Sequence, residues 1–352
     1  MMANRIAANR NARTRVRLAL ACCVATCSAL QSRFRPGEEW LDTAGAPIRA
    51  HTAGLLEGLA GEFYWYGLDN YTSGNTTPGH AVPEENVWIN AYTSTDLLNW
   101  RSLGHAYTHP SGRRHCTNAT VAAGTACGEA ARPKVVRHPS GQLVMVTKSA
   151  PAVTFATASS EAGPFAFRNS VFPNGHWAGD LTVFVDPQQP ADAYLIYSNK
   201  PSGPPPLAPG HYLVIAKLTP DWLDVEPEPV TTVTGDRHGL EAPAAFFVPA
   251  VGYFIWSSHC TGWTPNAAAV YHAGSMSSQS WTSLGNPTGN ATSFASQSTA
   301  ILPVNGSYIY VADRLSPYVK EKVQPRYVWL PITNISTSSL TVKWHDEWAL
   351  PQ

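Results

Sequence analysis

The sequence is poor in charged residues and carries no excess of either sign. Charged side chains make up 14% of the 352 residues, and 24 Lys and Arg face 24 Asp and Glu. Because a nucleic-acid-binding protein needs a concentrated basic surface, we expect no nucleic-acid partner. Hydrophobic residues make up 44% of the chain, enough to bury a large core, which excludes an intrinsically disordered protein.

The sequence also predicts neither long uninterrupted helices nor a metal site built from cysteines. With 26 Gly and 29 Pro, a helix would be broken every few turns. No Cys-x-x-Cys or Cys/His pattern predicts a zinc site. Of the six Cys, three lie in the first 27 residues; Cys116 and Cys127 flank a loop of small residues and could form a disulfide. The alternative is that these two and Cys260 are unrelated free thiols.

The N-terminus has the layout of a targeting segment. Residues 1–37 contain no Asp or Glu, and five Arg precede an apolar run over 18–30 that is too short to span a bilayer comfortably. We interpret residues 1–30 as a secretory signal peptide or signal-anchor, with an organelle transit peptide as the alternative. Six Asn-x-Ser/Thr glycosylation sequons favour the secretory pathway, with a secreted or Golgi-lumenal glycoprotein as the product: Asn70, Asn75, Asn118, Asn290, Asn305 and Asn334.

A unit of about sixty residues repeats through the rest of the chain. Each unit has a run rich in Val, Ile and aromatic residues, a polar turn, and then an apolar residue. Five turn residues occupy similar places in their units, with separations of 65, 60, 57 and 59 residues: Asp96, Glu161, Asp221, Ser278 and Thr337. Five near-equal units predict an all-β, five-bladed β-propeller over residues 31–352, with a β-sandwich as the alternative.

Short motifs along residues 40–348 indicate which kind of β-propeller this chain forms. They include FYWYG (63–67), ARPKV (131–135), GDLTVF (179–184), EAPAAF (241–246) and SQST (296–299). The combination resembles glycoside hydrolase family 43, most closely its branch of exo-β-1,3-galactanases (galactan 1,3-β-galactosidases). The resemblance implies a five-bladed propeller that cleaves β-1,3-galactan from chain ends with inversion, releases galactose, and needs no cofactor or metal.

The resemblance also implies three catalytic residues. Glu241 takes the position of the general acid, which must stay protonated near neutral pH; taken alone it would be a solvated residue at a strand end. Asp180 takes the position of the group that tunes the pKa of that acid, although an Asp here could also cap a turn. The general base of most family 43 enzymes is an Asp in the first blade, and that Asp is absent here. In the galactanase branch a Gln is proposed to position or deprotonate the water, and Gln297 matches it; the alternative is a Gln bonded inside a polar loop.

Further residues are candidates for binding sugar. The loop motif TGWTPN (261–266) contributes Thr261, Trp263 and Asn266, of which the Trp could stack on a sugar ring. Arg314 could bond hydroxyl groups or pair with a carboxylate. His51 could face the axial pocket, although a lone His is more often structural. Other aromatic residues, Trp177 among them, could also stack on sugar, although packing between blades is the commoner role.

Two departures from the family pattern leave the activity open. Relatives carry an acid directly after the YWYG motif and another directly before Arg-Pro-Lys, where this chain has Leu68 and Ala131. Nearby Asp69 and Glu129 could replace them in binding substrate hydroxyl groups. If they do not, the protein is a non-catalytic carbohydrate-binding propeller, or an enzyme for arabinofuranosides or xylosides.

Overall fold

The computed structural model describes residues 30–69, 88–109, 116–124, 126–128, 130–199, 211–235, 238–262, 264–314 and 326–351. These residues form five four-stranded antiparallel sheets, each built from four consecutive strands. The first strand of each sheet lies at the centre, beside the first strands of its neighbours. The predicted all-β, five-bladed propeller is therefore confirmed.

The strands follow the chain from blade to blade. Blade 1 contains β1 (His51–Glu57), β2 (Phe63–Leu68), β3 (Trp88–Ser94) and β4 (Arg101–Thr108). Blade 2 contains β5 (Ala131–Arg137), β6 (Leu143–Ser149), β7 (Ala152–Ala158) and β8 (Ala166–Val171). Blade 3 contains β9 (Ala178–Val185), β10 (Ala193–Asn199), β11 (Tyr212–Lys217) and β12 (Thr231–Val233). Blade 4 contains β13 (Glu241–Val248), β14 (Gly252–Ser258), β15 (Ala268–Ala273) and β16 (Thr282–Gly285). Blade 5 contains β17 (Ser296–Val304), β18 (Ser307–Arg314), β19 (Tyr327–Thr333) and β20 (Thr341–Val342).

The sixty-residue period of the sequence corresponds to one blade. All five turn residues that define the period lie between the third and fourth strands of their blades. In blade 1 the Asp96 carboxylate accepts hydrogen bonds from the backbone N–H groups of Leu98 and Asn99. Asp, Ser and Thr suit such positions because their side-chain oxygens satisfy the turn backbone.

Helical structure is limited to short connections in the part of the chain that is described. The helix α1 (Asn118–Ala122) precedes blade 2, and a 3-10 turn (Pro173–Gly175) precedes blade 3. Cys116 and Cys127 on either side of α1 form a disulfide, which confirms the predicted pairing. No helix among the described residues is long and apolar enough to cross a membrane.

Aromatic side chains close the ring between the last blade and the first. The segment before β1 runs beside the end of the chain, where Phe34 and Trp348 exchange backbone hydrogen bonds and stack with ring centroids 4.4 Å apart. Trp40 of the same segment packs on Trp65 of blade 1 and Trp329 of blade 5. Because these rings are almost fully buried, the N-terminal segment fastens blade 5 to blade 1 through hydrophobic contact.

Candidate active site

The central strand of every blade is irregular near its start. In each blade the pairing with the second strand shifts by one residue, so that two residues face one across the bulge. Five residues stand three positions before regular pairing resumes and are therefore equivalent: His51, Ala131, Ala178, Glu241 and Gln297. Three candidate residues of the sequence analysis thus occupy the same register position at one end of the propeller axis.

The bulges also place three residues in an uncommon backbone conformation. Thr52, Arg132 and Ala242 follow the equivalent positions in blades 1, 2 and 4, and their φ angles are 56°, 50° and 54°. The left-handed region costs a non-Gly residue about 1–2 kcal/mol. The conformation redirects the following side chains, and such strain is typical of functional sites.

Glu241 and Gln297 meet across the boundary between blades 4 and 5. The Gln297 amide nitrogen, Nε2, donates to Glu241 Oε1 at 3.1 Å and to Ser258 Oγ at 3.1 Å. Ser258 lies opposite Glu241 on the next strand. The predicted general acid and the predicted water-positioning amide are therefore in direct contact.

Arg132 joins this pair to the third predicted catalytic residue. One guanidinium nitrogen donates to Gln297 Oε1 at 2.7 Å and lies 2.9 Å from Asp180 Oδ2. The other terminal nitrogen donates to the Ser298 carbonyl at 3.0 Å. The buried guanidinium thus links blades 2, 3 and 5, and a continuous chain of hydrogen bonds connects Glu241 to Asp180.

Two cations share the Asp180 carboxylate. Arg132 contacts one oxygen, and Lys148 Nζ lies 3.1 Å from the other. Burial alone would raise the pKa of Asp180, but the charges and hydrogen bonds of Arg132 and Lys148 lower it below its usual range. Asp180 is therefore ionised at neutral pH, and its charge is largely balanced by these partners.

A second group of buried polar side chains surrounds the bulge of blade 1. His51 Nδ1 lies 3.4 Å from Asp313 Oδ2, which accepts a hydrogen bond from the Thr52 N–H. Lys134 donates to the Ala53 carbonyl. Burial, together with the nearby charge of Arg132, lowers the pKa of Lys134 well below its usual range. Within the described residues, no three His, Cys, Asp or Glu side chains are arranged to hold a metal ion.

Comparison with known proteins gives a result only at the level of structure. No protein-family model and no curated protein matches the sequence. Among solved structures, an exo-β-1,3-galactanase from Phanerochaete chrysosporium has a TM-score of 0.73 and 26% identity over 91% of this chain and 69% of that one. Two family 43 β-1,3-galactosidases are each 28% identical. One has a TM-score of 0.71 over 91% of this chain and 64% of its own. The other has a TM-score of 0.72 over 90% of this chain and 100% of its own.

The resemblance to the galactanase branch of glycoside hydrolase family 43 is confirmed. The structures that carry it share the propeller along about nine-tenths of this chain. The chain spans about two thirds of the first two matched proteins, so it corresponds to a part of each.

The remaining predicted sugar-binding residues have contacts of their own. Asp69 is buried just after the end of β2, with Oδ1 3.9 Å from the guanidinium of Arg49. Arg314 packs over the Trp344 ring and donates to the Gly37 carbonyl. These contacts lie outside the chain of hydrogen bonds that joins Glu241 to Asp180.

The loop of residues 259–266 is held together by one of the predicted sugar ligands. The Asn266 amide donates to the His259 carbonyl and to Thr261 Oγ1, and accepts from the His259 N–H. Thr261 is exposed and donates to the Thr264 carbonyl. The Asn266 amide therefore stabilises its own loop, while Thr261 remains accessible. Trp263 and Glu129 lie outside the described residues.

Sequence reasoning missed Arg132, Lys148 and Ser258. Arg132 is part of the ARPKV motif, but nothing in one sequence separates an Arg that organises a site from an Arg on a surface. Its position directly before Pro133 was the only available signal. A Pro in the first strand of a blade indicates an irregularity in the ladder, and this is where the bulge of blade 2 lies.

Proposed function

We propose that this protein is an inverting glycoside hydrolase that removes galactose from the ends of β-1,3-galactan chains, such as those of arabinogalactans. The observation that carries the proposal is the contact between Glu241 and Gln297 beside the Arg132–Asp180 pair. An acid, a polar group that can hold water and a charged pair meet at one end of the axis, and inverting hydrolysis needs an acid and a group that activates water. The similarity to solved β-1,3-galactanases supports the choice of sugar.

Glu241 and Gln297 each have a defined part in the reaction. Glu241 donates its proton to the glycosidic oxygen as the bond from that oxygen to C1 breaks. Gln297 Oε1 accepts one hydrogen bond from Arg132, which leaves a lone pair to hold a water against C1. The water adds to C1 on the face opposite the departing oxygen and releases its surplus proton to solvent, and Glu241 takes up a proton from solvent, so the protons balance over one turnover.

Trp177 offers an exposed apolar surface next to the start of the central strand of blade 3. It comes directly before Ala178, the axial residue of blade 3, and its side chain is 51% exposed. Trp65 and Tyr66 are instead fully buried between blades. Because an exposed indole can stack on the apolar face of a sugar ring, we expect Trp177→Ala to raise KM about tenfold with little change in kcat.

Galactose release from β-1,3-galactan tests the proposal. The wild-type protein should release galactose, and Glu241→Gln should reduce kcat by about 10²–10⁴-fold. The matched control is Glu57→Gln, an exposed Glu at the opposite end of a central strand, which should retain full activity. The first product seen by NMR should be α-galactose, since inversion converts a β-linkage to the α-anomer. β-Galactose as the first product would refute inversion.

A non-catalytic carbohydrate-binding propeller is the second candidate. Of the five equivalent positions near the start of the central strands, two carry only a methyl side chain, Ala131 and Ala178. Leu68 is buried in an apolar cluster. Binding of β-1,3-galactan without product release, unchanged by Glu241→Gln, would favour this function. Activity on aryl arabinofuranosides or xylosides, with none on galactan, would indicate the third possibility, a different sugar specificity.

We also propose that the protein enters the secretory pathway. The disulfide between Cys116 and Cys127 supports an oxidising compartment. Three sequon asparagines are exposed and accessible to glycosylation: Asn118, Asn305 and Asn334. Protein expressed in a eukaryotic secretory host should lose apparent mass on treatment with an N-glycosidase. An unchanged mass, together with intracellular retention of the full chain, would count against secretion.

A further inference from the structure

The direction of the Gln297 amide is decided by its neighbours. The oxygen and nitrogen ends of a side-chain amide occupy nearly equal space, so hydrogen-bond partners decide which way it points. An Arg guanidinium has only donors, and Arg132 lies 2.7 Å from one end of the Gln297 amide. Reversal would place two donors against each other there and remove the donor that faces Glu241. Arg132 therefore requires the oxygen end on its own side.

This direction has a consequence for Glu241. With Oε1 of Gln297 held by Arg132, the Nε2 hydrogens point at Glu241 Oε1 and Ser258 Oγ. A protonated carboxyl group has one O–H donor and keeps acceptor capacity on its oxygens, so a facing N–H group favours the carbonyl oxygen on its side. The contact from Nε2 therefore favours Oε1 as the acceptor oxygen and Oε2 as the oxygen that carries the transferable proton.

We propose that Arg132 is a positioning residue that acts through the Gln297 amide and so fixes the acid proton on Oε2 of Glu241. The inference rests on the proposed role of Glu241 as the proton donor. It assigns Arg132 a task separate from charge compensation of Asp180.

The shape and anchoring of the Arg132 side chain suit this task. The planar guanidinium reaches the Ser298 carbonyl with one nitrogen, and both Gln297 and Asp180 with the other. The Arg132 N–H donates to Thr52 Oγ1 at 2.9 Å, which holds the left-handed backbone of the bulge. A Lys keeps the charge but has a single ammonium group, which cannot reproduce this fork.

The Arg132→Lys substitution separates the effect of the Gln297 amide direction from the effect of the positive charge at position 132. In Arg132→Lys the charge remains, but the amide is free to turn its oxygen toward Glu241, which favours the protonated carboxyl. We expect the Glu241 pKa, followed by ¹³C-carboxyl NMR, to rise by about one unit, and kcat to fall about 10–100-fold at nearly constant KM. In a Gln297→Ala background the same Arg132→Lys change should leave the Glu241 pKa within about 0.3 units. Arg137→Lys is the matched control, because Arg137 pairs with Glu161 at the other end of the same strand.

A second measurement needs no change at Arg132. In the wild-type protein, the Nε2 proton resonances of Gln297 should shift as Glu241 titrates, and this shift should vanish in Glu241→Gln. The proposal would be overturned if Arg132→Lys raised the Glu241 pKa equally with and without Gln297. It would also be overturned if the Nε2 proton resonances did not shift as Glu241 titrates. If the wild-type protein cleaves no galactan, the proposed function fails. The NMR titrations still decide whether Arg132 acts through Gln297.

Discussion

The Asp180 carboxylate should be a large contributor to stability, because it is the shared partner of two cations. Replacing it by Asn keeps the shape but leaves Arg132 and Lys148 facing each other without their common anion. Removing one partner of a buried ion pair typically costs about 3–5 kcal/mol. We expect Asp180→Asn to lose an unfolding free energy of this size at pH 7.

The pH dependence of this loss follows from the direction of the pKa shift. The folded-state pKa of Asp180 is lowered, so its stabilisation is complete above the unfolded-state pKa of about 4 and declines as the pH falls below that value. The difference between wild type and Asp180→Asn should therefore be constant from pH 7 to 5. Below pH 4 it should shrink by about 1.4 kcal/mol per pH unit.

Urea denaturation at several pH values measures both effects. With an m-value of about 3 kcal/mol/M, the midpoint at pH 7 should fall by roughly 1–2 M. The control is Asp192→Asn, which breaks a similar pair with Lys217 in which the Lys side chain is 40% exposed; exposed pairs contribute about 0–1 kcal/mol. If the two variants lose equal stability, or the Asp180→Asn difference grows in acid, the electrostatic reasoning is wrong.

Two further predictions concern the scaffold. A Cβ added at Gly54 would lie 2.1 Å from the Pro133 carbonyl oxygen, so Gly54→Ala should force the central strands apart and cost about 1–3 kcal/mol in denaturant unfolding. Gly274→Ala is the control, since nothing lies within 4 Å of its added Cβ, and an equal loss there would refute the steric explanation. Replacing Cys116 and Cys127 by Ser opens a loop with a sequence separation of 11 and should cost about 2–3 kcal/mol by the same assay. An unchanged midpoint would mean that the loop is equally ordered in the unfolded chain.

The blades could be predicted from the sequence because the signals for them are local. β-branched and aromatic runs form strands, and a side-chain oxygen such as that of Asp96 satisfies the turn that follows. Each blade repeats both signals within about sixty residues, so the number of blades could be counted. No local signal in the sequence predicts that Phe34 and Trp348 close the ring. The two residues are far apart in the chain and are brought together by the five blades between them.

The site could be predicted only where a motif existed. Glu241, Asp180 and Gln297 were found through short stretches that resemble a known family, and the structure brings all three into one chain of hydrogen bonds. Asn266 was chosen for its residue type and its loop, but its amide bonds the loop itself. Composition and spacing do not show whether a polar side chain points at a ligand or at its own backbone.

An amide at position 297 affects Glu241 differently from a carboxylate at the same distance. The two side chains are 3.1 Å apart, and two carboxylates at about that distance cannot both be ionised. An amide avoids this repulsion, but it binds productively only if its oxygen and nitrogen face the correct partners. Arg132 supplies that selection because it can only donate. The neutral residue at 297 and the cation at 132 therefore act together: the amide places no second negative charge beside Glu241, and the guanidinium gives the amide its direction.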